Sequence, residues 1–277
     1  SESRDNIEFV TKNYHFTLPL TKSKHAFNKG EEVVTTTATR LRTSPTTDST
    51  HVNLDKGEVL TIEGPFKYEE NNPKNHFVWY PVERSNGETG YVASSYIKMK
   101  FKDVPAGHYA EEEINYLVDR GIINGVGNGH FGLGRDLTRW QAVLILTRAN
   151  NVSLENRPDP GFEDVPNTHL YFKEIAAAVD EGLFEGKSEG KFDPDATLTR
   201  AEMAKVLQRL FQFPEATKTH AFADVKADAW YADEVARLFS AGITNGKSNT
   251  AYGPSDKLSR EDFAIFMTRS MDESYRK

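Results

Sequence analysis

The chain has 277 residues, 38% hydrophobic, 27% charged and 11% aromatic, enough for one large or two modest folded domains. It has no cysteine, which excludes a disulfide framework, thiolate metal sites and a cysteine nucleophile. The net charge of −7, with Lys and Arg scattered, argues against bulk attraction to nucleic acid, and no apolar run approaches the roughly 18 to 20 residues of a membrane span.

Ser1-Glu2-Ser3 begins no signal peptide, so the start reads as a mature or excised end. Residues 1–31 form a β segment to which the sequence assigns no role. Tyr14, Phe16, Leu18 and Leu20 alternate with polar residues, the pattern of a half-buried strand, and Ile7 and Phe9 supply a partner. Over 32–99, β-branched and aromatic runs at 33–37, 59–62 and 77–82 are separated by Asp55-Lys56-Gly57 and Ser85-Asn86-Gly87, which carry the positive-φ residues of tight turns. This predicts a small β-barrel, with Trp79, Tyr80, Tyr91 and Tyr96 each favoured as core rather than exposed residues.

At Phe101 the alternation gives way to helical spacing, and the chain repeats itself. Phe101-Lys102-Asp103-Val104, Phe162-Glu163-Asp164-Val165 and Phe222-Ala223-Asp224-Val225 open three units, 61 and 60 residues apart. From each Phe to Arg139, Arg200 and Arg260 the distance is always 38 residues. The units, 101–160, 161–219 and 220–277, each read as helix, loop, helix. In the first helices Ile114, Leu117 and Val118 recur as Ile175, Ala178 and Val179, then as Val235, Leu238 and Phe239, an i, i+3, i+4 apolar stripe. Gly121, Gly182 and Gly242 stand where left-handed caps end those helices.

The second helices begin at Leu137-Thr138-Arg139-Trp140-Gln141, Leu198-Thr199-Arg200-Ala201-Glu202 and Leu258-Ser259-Arg260-Glu261-Asp262. Thr or Ser caps the helix, the acid or amide three residues on closes a capping box, and the Leu staples to Ala142, Met203 or Phe263. The Arg is the awkward residue, because the macrodipole disfavours a cation at the first helical position. Three such arginines imply an anion, bound or built in, that meets each. A hairpin of this size buries too little to stand alone, so the three must share a core.

The barrel stretch resembles the bacterial SH3-like family at Thr39-Arg40-Leu41-Arg42-Thr43-Ser44-Pro45, likened to its first-strand "L-x-R-x-x-P" stretch with Arg40 in place of the Leu, and at Gly87-Glu88-Thr89-Gly90-Tyr91-Val92. The three units resemble S-layer homology repeats from about Phe101 to Met271. The motifs carrying this likeness are the "F-x-D-V" opening, the Trp230-Tyr231 pair, the "G-I/L" turn, the glycine loop and the "L-T-R-A-E" helix start. The resemblance implies an all-α pseudo-threefold bundle of the three repeats following the β-barrel. It further implies non-covalent anchoring of a surface protein on the outside of a Gram-positive cell, through pyruvylated secondary cell-wall polysaccharide held in grooves between repeats.

Carried over residue by residue, Arg139, Arg200 and Arg260 would meet the pyruvyl carboxylate. Asp103, Asp164 and Asp224 would accept sugar hydroxyls or hold the Arg, and Trp230 and Tyr109 would stack on a sugar. Gly125, Gly186 and Gly246 would let the loop approach the ligand, and Lys187 and Lys247 would add a second cation. The bland readings are an internal salt bridge for each Arg, backbone capping for each Asp and a conformational role for the loop glycines. Unit one departs from the pattern at Val126, Trp140 and Gln141, and unit two at Leu170, so the reading favours Arg200 and Arg260, taken to lie at the surface.

Peptidoglycan or another surface protein is the SH3-like domain's expected partner. No cofactor, no nucleic acid and no metal is expected: Asp193-Pro194-Asp195 lacks the further acids of a calcium loop, and the histidines lack ligand spacing. No catalytic constellation is present, so the chain is read as no enzyme. A self-associating S-layer lattice protein and the wall-targeting part of a hydrolase are the alternatives.

Overall fold

A computed structural model describes residues 6–10, 15–19 and 23–277, with side chains from residue 23 onward. The described chain divides into two compact units, one holding the residues up to Glu111 with Asn115–Phe131, the other Glu112–Ile114 with Gly132–Lys277. The division falls inside the first repeat.

In the first unit β1 (Asn6–Val10) and β2 (His15–Pro19) pair antiparallel, with Ile7 opposite Leu18 and Phe9 opposite Phe16. Of the residues expected in this hairpin, Tyr14 and Leu20 lie outside the described set. An eight-stranded antiparallel sheet follows. Its strands are β3 (Glu32–Thr35), β4 (Thr39–Arg42), β5 (His51–Leu54), β6 (Val59–Ile62), β7 (Lys67–Tyr68), β8 (Val78–Arg84), β9 (Thr89–Ala93) and β10 (Ile97–Met99). They run in the order β10-β3-β6-β8-β9-β4-β5, with β7 on β8.

This corrects the expected barrel: the sheet is open. β10 and β5 end the order without pairing to each other, and β5 carries the exposed His51, Val52 and Asn53 of an edge strand. β8 is the centre of the core: Val78, Trp79, Tyr80 and Val82 are all buried, as are Val33, Leu60, Ile62 and Val92 on the strands around it. Of the four weighed aromatics Trp79 and Tyr80 are core, and Tyr91 and Tyr96 are half-buried. The Tyr80 hydroxyl accepts the Phe27 amide at 3.3 Å, and burial pushes its pKa up to about 12.

The helices are α1 (Glu111–Asp119), α2 (Arg139–Ala149), α3 (Phe172–Asp180), α4 (Arg200–Phe211), α5 (Ala232–Ser240) and α6 (Arg260–Met271). The apolar stripes of α1, α3 and α5 are buried except at Val179 and Phe239, which are half-buried, and Gly121, Gly182 and Gly242 take positive φ at the ends of these helices. Thr138 with Gln141 and Thr199 with Glu202 form complete capping boxes. Ser259 accepts only the Asp262 amide; the shorter Asp262 carboxylate is directed to Arg200.

The repeats are not the all-α bundle expected of them. A capped helix needs an extended residue before it, and the three caps have φ between −77° and −87° and ψ near 160°. The extended segments pair in bridges at Asp136 with Ser259, Thr138 with Thr197 and Thr199 with Lys257. Leu137 donates its amide to Leu258, Leu258 to Leu198, and Leu198 to Leu137, closing a ring of bonds of 2.8 to 2.9 Å. All three leucines are fully buried. The repeats thus share hydrogen-bonded backbone as well as a core, in a mixed α/β arrangement.

Candidate functional site

The ring fixes where each arginine goes. Arg139, Arg200 and Arg260 are only 3%, 4% and 7% exposed, so the surface position expected of them is corrected: they are buried. For two of them the anion is built in, and it belongs to the next repeat. Arg139 donates from Nε to the Phe192 carbonyl (3.0 Å), from Nη2 to the Glu185 carbonyl (2.5 Å) and from Nη1 to Glu202 Oε2 (2.7 Å). Arg200 donates from Nε to the Tyr252 carbonyl (2.7 Å) and from Nη1 to Asp262 Oδ2 (3.0 Å). Their guanidinium groups lie 4.5 and 4.8 Å from the Phe192 and Tyr252 rings, at cation–π distance. Burial lowers the Arg139 pKa, an effect that Glu202 opposes.

The opening aspartates clamp backbone. Asp103 accepts the Phe131 amide at 2.8 Å; Asp164 accepts those of Phe192 and Asp193, and Asp224 those of Tyr252 and Gly253, at 2.8 to 2.9 Å. For Asp164 and Asp224, burial alone would raise the carboxyl pKa, but these bonds outweigh it and the pKa is lowered. The loop glycines answer to the chain itself. A Cβ at Gly186 would lie 2.8 Å from the Phe162 ring and 2.9 Å from the Lys191 carbonyl, and Gly125 and Gly246 meet Phe101 and Phe222 in the same way.

A groove of about 430 Å³ opens beside Arg139. The loop from Leu183 to Lys187, the first turns of α4 through Arg209, the Trp230-Tyr231 pair, and Pro254 with Ser255 form its walls. Of the predicted residues it gathers Arg139, Gly186, Lys187 and Trp230; Arg200 and Arg260 do not line it. Trp230 is 57% exposed, and its ring meets Tyr231 edge-on at 5.0 Å. Lys187 Nζ lies 3.2 Å from Glu202 Oε1, so Glu202 serves Arg139 and Lys187 together. Arg209 Nη2 lies 2.5 Å from Glu185 Oε1 and Lys205 Nζ lies 3.6 Å from it, while Lys205 also stands 5.3 Å from the centre of the Trp230 ring. Four cations face two carboxylates, with an exposed indole beside them.

The matching positions elsewhere differ. Trp140, in the place of Ala201, stacks on Tyr171 at 4.6 Å and 9° between planes, and Leu144 and Leu170 stand where Lys205 and Trp230 would. In the third repeat Lys247 is bound to Asp256 at 2.6 Å, and Glu261, also in the place of Ala201, is buried and accepts the Gly134 amide. Tyr109 is 64% exposed and lies against His108.

Sequence reasoning missed Lys205, Arg209 and Glu185. Lys205 and Arg209 are one helical turn apart, the only available signal, and nothing in the repeat pattern marks them. It also assigned the departures of repeat one to the Arg139 groove, although that groove is walled by repeats two and three and takes only Arg139 from the first.

The family model of the S-layer homology domain matches residues 100–143, 161–204 and 221–264, and that of the bacterial SH3 domain matches 37–98. The chain carries three S-layer homology repeats behind a bacterial SH3 domain. The chain is 34% identical over 170 residues to a surface-layer 125 kDa protein of Lysinibacillus sphaericus, covering 59% of this chain and 14% of that protein. It is 32% identical over 181 residues to an S-layer protein of Bacillus licheniformis, covering 64% and 20%. It is 31% identical over 237 residues to an amylopullulanase of Thermoanaerobacterium thermosulfurigenes, covering 80% and 12%.

The alignments thus span a fifth or less of these relatives' lengths. The S-layer homology repeats and these relatives indicate a surface- or cell-wall-anchored protein of Gram-positive bacteria. Among the described residues no helix is long and apolar enough to cross a membrane.

Proposed function

We propose that the chain is a non-covalent wall anchor that takes an acidic, pyruvylated end of the secondary cell-wall polysaccharide in the groove beside Arg139. One observation carries this reading: Arg139, Lys187, Lys205 and Arg209 line the groove with Glu185 and Glu202 as the acids in its wall, next to an exposed Trp230. A sugar stacks on the indole face, and its carboxylate meets the Lys187 ammonium. Arg139 acts from below, as the buried group that fixes Glu202 and the carbonyls of the loop. It is a positioning residue here, and Lys187 and Trp230 are the contact residues.

The Trp140–Tyr171 stack and the Lys247–Asp256 pair support unequal grooves, with the Arg139 groove as the principal one. The test is co-sedimentation with purified walls before and after the polysaccharide is stripped chemically. The anchor reading expects binding to intact walls and its loss on stripping; equal binding to both sinks it. The relative that is an amylopullulanase favours a second reading, an anchor joined to a hydrolase, which sequencing of the complete parent gene decides.

A further inference from the structure

The groove's charges fall into two lobes. Glu202 is shared by Arg139 and Lys187, at 2.7 and 3.2 Å. Glu185 is shared by Arg209 and Lys205, at 2.5 and 3.6 Å. Asp193 and Asp164 also act on Arg139, whereas Arg209 and Lys205 share Glu185 alone among the carboxylates of the described residues at hydrogen-bond or ion-pair distance, so the second lobe keeps the clearer positive excess. The second lobe also maintains a like-charge pair at i, i+4 on α4, an arrangement that disfavours the helix.

This second lobe belongs to repeat two alone. The place of Lys205 is taken by Leu144 and Ile265 in the other repeats, and that of Glu185 by Asn124 and Asn245, while an arginine is kept at all three places of Arg209. Leu144 is buried, as a residue with a purely packing role should be. Lys205 instead lines the groove and holds its ammonium 5.3 Å from the centre of the exposed Trp230 ring. A sugar stacked on that indole would therefore bring its substituents to Lys205 and Arg209. The volume of about 430 Å³ lies within the roughly 300–1,000 Å³ of small-ligand sites, room for more than a single charged group.

We propose that Lys205 and Arg209 form a second anionic subsite, so that the glycan end bound here carries two acidic groups, one at the Lys187 lobe and one at the Lys205–Arg209 lobe. This rests on the reading of the groove as a glycan site. The second group is a carboxylate or phosphate on the sugar that covers Trp230 or on its neighbour.

The experiment uses the whole chain and oligosaccharides released from purified wall polysaccharide, separated by anion exchange into singly and doubly acidic fractions. Isothermal titration should give about tenfold tighter binding of the doubly acidic fraction by the wild type, the scale of one added charged contact. The double variant Lys205→Leu/Arg209→Gln should lose that preference and bind the two fractions alike. Lys205→Gln alone, with unchanged thermal melting, should lose part of it and guards against a folding defect in the double variant. Equal affinity of the wild type for both fractions overturns the second subsite and leaves the groove reading standing, as does a preference that survives the double substitution. Binding of neither fraction overturns both.

Discussion

Arg139 Nη1 lies 2.7 Å from Oε2 of Glu202, the acid that closes the capping box of the next repeat's helix. One carboxylate thus caps α4 with Oε1 at the Thr199 amide and anchors the preceding repeat with Oε2. Arg200 is likewise bound to Asp262 of the next repeat, whose carboxylate closes no capping box. The arginine that looked misplaced at a helix start is placed for its neighbour's acid.

That geometry makes arginine substitutions structural ones. Arg139→Ala would take the buried donor from the carbonyls of Phe192 and Glu185 and leave Glu202 with only Lys187 and its cap at Thr199. Removing one member of a buried pair costs about 3–5 kcal/mol, a fall in Tm on the order of 10 °C for a unit of this size. Thermal melting should show it, and Arg139→Lys, which cannot span three acceptors, should recover only part. An unchanged Tm would mean that the pair contributes little.

Trp230→Ala should behave in the opposite way. The ring is 57% exposed, so stability should stay within about 0.5 kcal/mol of wild type, while binding to intact walls falls about tenfold with loss of the stacking platform. Sedimentation of both proteins with the same walls measures the difference. If Tyr109→Ala had the larger effect, a different groove would be the principal one.

Acid should unfold the repeats through their opening aspartates. The folded pKa of Asp164 and Asp224 is depressed, so their contribution is complete above the unfolded value of about 3.9 and is lost as pH falls through the folded value. Urea midpoints measured from pH 6 downward should drop steeply below about pH 4. Asp164→Asn should be less stable at neutral pH and flatter across that window; a slope as steep as wild type would assign the acid sensitivity to other groups.

The leucine ring predicts that the repeats do not fold piecemeal. Without repeat three, Leu137 loses its acceptor on Leu258, Leu198 loses the Leu258 amide, and Arg200 loses both the Tyr252 carbonyl and Asp262. A chain ending at residue 219 should give a broad, weakly cooperative urea transition for its α-helical signal. A sharp transition at the full-length midpoint would show that the ring is dispensable.

The repeat register, the helix stripes, the left-handed glycine caps and the capping positions were legible because each depends on residues close in sequence. The open sheet was not, since alternation in β5 looks the same whether or not its edge is paired. The ring was hidden because Leu137, Leu198 and Leu258 read equally well as staples, and only the fold reveals that their amides are spent on one another. At the site, Trp230 and Lys187 stood out through the family pattern. Lys205, Arg209 and Glu185 did not, because a helix face and a loop 20 residues earlier become one wall only after α4 has docked. Arg139 was undervalued for a related reason: its own repeat departs from the pattern, yet its side chain serves the next one.

The central claim is that the groove beside Arg139 reads an acidic glycan end, and calorimetric titration of the purified wall polysaccharide, before and after its pyruvyl groups are removed by mild acid, tests it most directly. Binding by the wild-type chain that is lost on removal of the pyruvyl groups, and strongly weakened in Trp230→Ala and Lys187→Ala, is the predicted result. Equal affinity for both glycans, or binding untouched by both substitutions, would contradict it.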